Sequence, residues 1–182
     1  MNIKFIVEYD GTNYHGWQIQ KELPTIQGEL TNAFSILFPN QKINIIGSGR
    51  TDTGVHAYNQ VASVKISKTD DLNKLFNSIN GIISNDIYIK NYQEVNSNFN
   101  ARFSARYRTY KYYIKNQYSP FLKNISWFVK SKIDFTNLRQ CAKALIGKHN
   151  FSSLSKHNEE IKNKECIIYE SYWEEDKNQL IY

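Results

Sequence analysis

Ile43-Asn44-Ile45-Ile46, then Gly47-Ser48-Gly49-Arg50-Thr51-Asp52-Thr53-Gly54-Val55-His56-Ala57, then Gln60-Val61-Ala62-Ser63-Val64-Lys65-Ile66, is the stretch that decides the fold. Two apolar runs flank a loop holding three glycines, an arginine, an aspartate and a histidine. The first run reads as a short strand, and the second alternates through Ala62, Val64 and Ile66 as a half-buried strand does. Working outward, Ile3, Phe5, Val7 and Tyr9 alternate in the same way. Thr25 is placed to cap a helix with Ile26, Leu30, Ala33, Phe34 and Leu37 at 3.6-residue spacing, stopped by Pro39-Asn40. Thr69 or Asp70 is expected to open a second helix facing inward with Leu72, Leu75, Phe76 and Ile79, and Ile87–Tyr92 reads as a strand.

The order is β-α-β-β-α-β. It suggests an α+β protein whose first half, 1–104, has the split βαβ or ferredoxin-like arrangement, an antiparallel sheet with two helices on one face. The second half, 105–182, is expected to begin the same order again, so that two such halves form a largely antiparallel sheet. Arg108–Ile114 reads as a strand with Tyr110, Tyr112 and Ile114 on one face, and Phe121–Val129 as a loop and short strand containing Trp127. Asp134–Ile146 reads as a helix with Phe135, Leu138, Cys141, Ala142 and Leu145 inward, and Gly147 stands where a C-terminal cap belongs. Ser152–Lys164 reads as an exposed loop, Glu165–Trp173 as a strand, Asp176-Lys177-Asn178 as a turn and Leu180 as the start of another strand. On this pattern the second half is incomplete, and the chain is expected to be a shortened copy of a longer protein. The alternative is a minimal domain that covers its open face by dimerising.

At 182 residues and 41% hydrophobic, the chain suits one domain or two small halves sharing a core. The formal charge of +6 fits either ordinary solubility or a polyanionic partner. Two cysteines, Cys141 and Cys166, make no disulfide framework, and His15, His56, His149 and His157 show no metal-ligand spacing. No metal is expected, nor a secretory leader or membrane span, and a reduced, cytoplasmic setting fits.

Three stretches carry chemistry. Glycines at 47, 49 and 54 allow tight turns and close ligand approach around Asp52, and Arg50 stands two residues away. There is no Gly-Lys-Ser/Thr, so the loop is not a P-loop, and no paired carboxylate suggests glycosidase chemistry. From Asn100 to Tyr113, Arg102, Arg106, Arg108 and Lys111 alternate with aromatic residues. Such a strand either buries its tyrosines and solvates its basic face, or sets that face against phosphates and a ring against a base. Tyr9-Asp10-Gly11-Thr12-Asn13-Tyr14-His15-Gly16-Trp17-Gln18 has more glycine and aromatic content than a simple connection needs.

Together these stretches resemble the TruA family of tRNA pseudouridine synthases. Tyr9-Asp10-Gly11-Thr12 with Gly16-Trp17-Gln18 resembles that family's opening motif, and Thr25-Ile26-Gln27-Gly28 its next. Gly49-Arg50-Thr51-Asp52 with Gly54-Val55-His56 is similar to its catalytic loop. Ala101-Arg102-Phe103-Ser104-Ala105 and Tyr110-Lys111-Tyr112 are similar to the motif that opens its second half. The resemblance implies a cofactor-free, metal-free isomerase that converts uridine to pseudouridine in the tRNA anticodon arm, at tRNA positions 38 to 40, working as a homodimer whose halves flank a basic cleft. It implies that Asp52 is the nucleophile, attacking either the ribose anomeric carbon or the pyrimidine ring. Tyr110 then stacks on the base, and Arg50 helps hold the flipped nucleotide. His56, Arg102, Arg106, Arg108 and Lys111 complete the expected substrate contacts.

One family feature has no counterpart within residues 1–182: a segment of the type F-L-x-H-M-V-R, whose arginine pairs with the catalytic aspartate. This chain alone is therefore expected to have little or no activity. The rival reading is a tRNA-binding module without catalysis.

Overall fold

The computed structural model describes residues 1–155, 163–176 and 179–182. The chain forms two compact units, Met1–Arg108 and Thr109–Tyr182. His157, most of the expected 152–164 loop and the tip of the expected 176–178 turn lie outside the described residues.

The first unit runs β1 (Asn2–Tyr9), α1 (Ile26–Leu37), β2 (Ile45–Gly47), β3 (Ala57–Lys65), α2 (Leu72–Ile82) and β4 (Ile87–Val95). Its sheet has the order β2-β3-β1-β4, every neighbouring pair antiparallel. This is the split βαβ connectivity. Alternation along β1 buries Ile3, Phe5, Val7 and Tyr9 on one face. The register puts Phe5 opposite Ala62 on one side and Tyr92 on the other. Helix α1 is capped by Thr25, whose hydroxyl accepts the Gly28 N–H, and presents Ile26, Leu30, Ala33 and Phe34. Its last N–H bond runs from Phe38 to Phe34, and Pro39 follows. Helix α2 is capped by Asp71, which accepts the Lys74 N–H at 2.9 Å. Thr69 and Asp70 stand too early to reach that first-turn donor, which corrects the expected start. Strand β3 begins at Ala57, three residues before its expected start, because Ala57 still pairs with Tyr9 across a bulge.

Phe5, Phe34 and Phe76 meet at the centre, with ring centroids about 6 Å apart pairwise, and Tyr92 stacks flat on Phe76 at 4.1 Å. Both helices thus bury their apolar stripes with the same sheet face in one cluster.

The second unit does not repeat this order. It runs β5 (Tyr113–Lys115), β6 (Trp127–Phe128), α3 (Phe135–Ala144), β7 (Gly147–Asn150), β8 (Glu165–Ile168), β9 (Glu174–Asp176) and β10 (Gln179–Ile181). One sheet has the order β6-β5-β10-β9, with β5 and β6 parallel, and β7 and β8 form a separate antiparallel pair. The expected 108–114 strand shrinks to its C-terminal end; Tyr112 still exchanges backbone hydrogen bonds with Tyr182, yet Tyr110 and Tyr112 are exposed. Helix α3 is capped by Asp134 as expected, but only Ala142 is buried and Cys141 faces solvent. It ends at Leu145, and Gly147, at φ +111°, opens β7 instead of capping the helix. The expected 165–173 strand shortens to Glu165–Ile168, and Glu174–Asp176 forms a separate strand after it. Among the described residues of this unit, the buried apolar side chains are Ile114, Ala142 and Leu180. Cys166, like Cys141, is free and exposed.

The two cores differ enough to be told apart by mutation. Phe34→Ala should cost about 3–5 kcal/mol of unfolding free energy in urea titration. Trp127→Ala, at a half-exposed site, should cost about 0.5 kcal/mol or less. Equal losses would contradict the assignment of the main core to the first unit.

Candidate active site

The loop between β2 and β3 is held at Ser48, Gly49, Thr51, Asp52 and Gly54. Where β2 ends, the Ser48 N–H still reaches the Val61 carbonyl at 2.7 Å. The Ser48 hydroxyl donates to Gln60 Oε1, and the Gln60 amide returns a hydrogen bond to the Gly49 carbonyl. The Ser48 carbonyl accepts both Nε, at 2.9 Å, and Nη2 of Arg108. Further along, the Thr51 carbonyl accepts the Trp17 N–H at 3.0 Å, the Asp52 carbonyl accepts the Val55 N–H, and the Gly54 N–H donates to the Tyr14 carbonyl. The Thr51 and Tyr9 hydroxyls lie 2.9 Å apart.

Two of these partners, Trp17 and Tyr14, come from the strap 10–18. Gly16 sits at φ +82°, and a Cβ there would stand 2.3 Å from the Thr51 carbonyl oxygen. Only glycine combines that conformation with that approach. The indole of Trp17, 2% exposed, lies against the bare α-carbon of Gly47. The strap is tied in turn to the start of α1. Gly16 and Trp17 carbonyls accept the Ile26 and Gln27 N–H groups. The buried Gln27 side chain accepts from Gln18 and from the Ile19 N–H, and donates to the Ile45 carbonyl at 2.7 Å. All of its bonds join strap, helix and β2.

At the strap's first turn, Asp10 accepts the Thr12 hydroxyl at 2.6 Å and the Thr12 N–H at 2.9 Å, and lies 3.0 Å from His56 Nδ1. The Gly11 N–H also points at Nδ1, at 3.3 Å. One ring nitrogen cannot both donate and accept there. The shorter contact to a carboxylate places the proton on Nδ1, donating to Asp10. The Thr12 hydroxyl and N–H, helped by His56, hold the Asp10 carboxyl below its ordinary range. Burial pushes the Tyr9 phenol up, against the Thr51 hydrogen bond.

Upon this frame Asp52 projects an exposed side chain, and no hydrogen bond or ion pair reaches its carboxylate among the described residues. Arg50 is exposed and likewise makes no ion pair with them. Arg102 lies over the exposed Phe103 ring at 5.6 Å. The turn carrying both is anchored by the buried Ala101, whose N–H donates to Ser63, and by Asn100, which accepts the Arg102 and Phe103 N–H groups. Arg106 is exposed. Asp52, Arg50, His56 and Arg108 therefore share one loop and its immediate bonds in the first unit. Tyr110 and Lys111 are exposed residues of the second unit, in a stretch without regular structure. Among the described residues no group of three or more His, Cys, Asp or Glu side chains could hold a metal ion, and no helix is long and apolar enough to cross a membrane.

Sequence reasoning missed the supporting bonds of Ser48, Gln60 and Gln27. A glutamine at the second position of an apolar helix was the available signal for Gln27.

A sequence model of a family described as tRNA pseudouridine synthase matches residues 5–107, which include the strap, the α1 start and the Asp52 loop. The chain belongs to the tRNA pseudouridine synthase family. It is 39% identical over 154 residues to a protein named tRNA pseudouridine synthase A from Thermoanaerobacter sp. (strain X514), covering 84% of this chain and 63% of the relative. It is 40% identical over 167 residues to a protein of that name from Brachyspira hyodysenteriae, covering 90% and 67%. With one from Caldicellulosiruptor bescii it shares 38% identity over 173 residues, covering 94% and 70%. The chain thus spans less than two thirds of the Thermoanaerobacter synthase's length.

Two tests address the frame of this synthase-family loop. Gly16→Ala should destabilise by more than about 2 kcal/mol, because backbone must move. Gly54→Ala, at φ +77° with nothing near its Cβ, should lose only the roughly 1 kcal/mol of left-handed strain. Thermal unfolding of the pair checks this, and equal losses would count against the Gly16–Thr51 contact. A lowered Asp10 favours the folded state above the unfolded carboxyl value, and that contribution disappears as pH falls through the folded value. Thr12→Val should raise the Asp10 midpoint followed by carboxyl-carbon NMR; an unmoved midpoint would remove Thr12 as the cause.

Proposed function

We propose that this chain isomerises uridine to pseudouridine in the anticodon arm of tRNA, at positions 38 to 40, with Asp52 as the nucleophile. The observation that carries the reading is an exposed carboxylate without a protein partner among the described residues, on a loop whose Ser48, Gly49, Thr51 and Asp52 carbonyls are all bonded. A side chain serving as a turn prop would bond its own loop. Asp52 instead meets solvent on a fixed backbone, which keeps the orientation cost of attack low. Membership of the family supports the substrate class, and the +6 charge supports a polyanion.

A stem uridine is unreachable until it is flipped, at a cost of a few kcal/mol in stacking and pairing. Arg50 contacts the extruded nucleotide's phosphate, and Tyr110 gives the base an aromatic face. Arg102, Arg106 and Lys111 add phosphate contacts, and His56 holds the strap turn through Asp10. Asp52 attacks at the ribose C1′ or at uracil C6. The C1′–N1 bond breaks, the uracil turns, a C1′–C5 bond forms, and the C5 proton leaves to solvent while N1 takes one up, as Asp52 is released. No redox partner is needed, because substrate and product are isomers. Of the halves read from the sequence, 1–104 carries Asp52, and 105–182 carries Tyr110 and Lys111. The working form is a cytoplasmic homodimer.

Residues 1–182 alone are expected to turn over weakly, since the family's Asp-pairing arginine segment has no counterpart in them and Asp52 has no cation partner among the described residues. Tritium release from C5-labelled uridine in tRNA checks both statements. The complete gene product should release tritium, and Asp52→Ala in it should lower the rate at least about a thousandfold while leaving salt-sensitive tRNA binding in place. Pseudouridine formation that survives Asp52→Ala would refute the nucleophile assignment, and near-normal turnover by the 182 residues alone would refute the need for a further cation.

A further inference from the structure

Arg108 stands in the most basic stretch of the chain, Arg102 to Lys111, where a phosphate contact is the obvious expectation. Its bonds point elsewhere. The guanidinium fork closes on one backbone oxygen, the Ser48 carbonyl, through Nε and Nη2. Ser48 is buried, while Arg108 itself is exposed. The fork lies directly over Gly49, where a Cβ would come within 2.9 Å of Nε. Ser48 is the last residue of the loop bonded to the β2–β3 ladder, and Asp52 follows four residues later.

We propose that Arg108 is a positioning residue for Asp52: it fixes the exit of the loop from β2 by binding the Ser48 carbonyl, and it is not a phosphate contact. The inference rests on the nucleophile assignment above. Three carbonyls of the loop between Gly47 and Asp52 are held from outside it. Gln60 holds the Gly49 carbonyl, Trp17 holds the Thr51 carbonyl, and Arg108 holds the Ser48 carbonyl. The Arg50 peptide lies between these carbonyls, so loss of the fork leaves Ser48 on its N–H bond to Val61 and its hydroxyl bond to Gln60, and loosens the turn on which Arg50 and Asp52 are both carried. Arginine suits this place because a rigid fork delivers two N–H groups to one acceptor, whereas lysine supplies a single point donor. The absence of a side chain at Gly49 is the matching requirement. A methyl group there would push the fork off its carbonyl.

The test compares Arg108→Ala, Arg108→Lys and Gly49→Ala in the complete gene product, using an in vitro transcribed tRNA. Three quantities are read: amide hydrogen exchange at 49–52, the slope of log binding constant against log salt, and kcat against KM. For Arg108→Ala the expected result is exchange at least tenfold faster at 49–52, an unchanged salt slope, an unchanged KM and a kcat lowered at least tenfold. Arg108→Lys should fall between wild type and Arg108→Ala, and Gly49→Ala should reproduce the alanine phenotype without adding to it in the double variant. A salt slope reduced by about one with exchange unchanged would make Arg108 a phosphate contact and overturn the proposal. Unchanged exchange with an unchanged slope would overturn it as well. If Arg108→Ala does not fold, Arg108→Lys and Gly49→Ala decide the matter. Hydrogen exchange reads the clamp without catalysis, so a failure of the nucleophile assignment shows separately, as turnover that survives Asp52→Ala.

Discussion

The hydrogen bond from the Trp17 N–H to the Thr51 carbonyl is the constraint on which the rest of the first unit turns. It joins the strap to the peptide immediately before Asp52. For it to form, Gly16 must adopt a left-handed conformation and Trp17 must lie over Gly47. Both conditions are met by residues with no direct part in the chemistry. The Trp17 carbonyl then accepts from Gln27, which carries the same linkage into α1 and through the Gln27 amide to β2. Loop, strap, helix and strand form a closed circuit of hydrogen bonds, the last of them from a side chain.

That circuit explains why the motifs are spread over the sequence yet serve one place. Thr25-Ile26-Gln27-Gly28 is a helix start whose glutamine does not face solvent but ties three elements together. Asp10 and Thr12 make a self-contained turn that orients His56. Ala101 plugs a turn onto β3 and leads the chain to Arg108. Most of the motif residues build the scaffold, and one carboxylate is left with nothing to hold. Unsatisfied polar atoms are otherwise scarce: among described residues the Thr31 hydroxyl is the buried side-chain group without a partner.

The first unit was legible in the sequence because its signals agree. Alternation in β1, spacing in α1 and α2, and glycines between strands all point to one arrangement. Asp71 was missed because three adjacent residues, Thr69, Asp70 and Asp71, can all cap, and only the position of the first apolar residue distinguishes them. The second unit read less well. Tyr110, Tyr112 and Cys141 have strand or helix spacing, but spacing identifies an inward face only where something packs against it, and among the described residues little does. Strand β7 begins at a glycine that sequence rules assign to a helix end, and its partner β8 comes fifteen residues after the end of β7, a pairing no local pattern reveals. For the candidate site, the glycine-bounded loop between two strands that carries Asp52 was legible. The bond of Arg108 to a carbonyl was not, because a basic, aromatic stretch looks the same whether its cations meet phosphate or backbone.

Both thiols of the chain, Cys141 and Cys166, are unpaired, solvent-facing and confined to Thr109–Tyr182. A maleimide dye or spin label attached without any mutagenesis would therefore mark only that part of the molecule. The Met1–Arg108 unit, which carries Asp52, would stay chemically native.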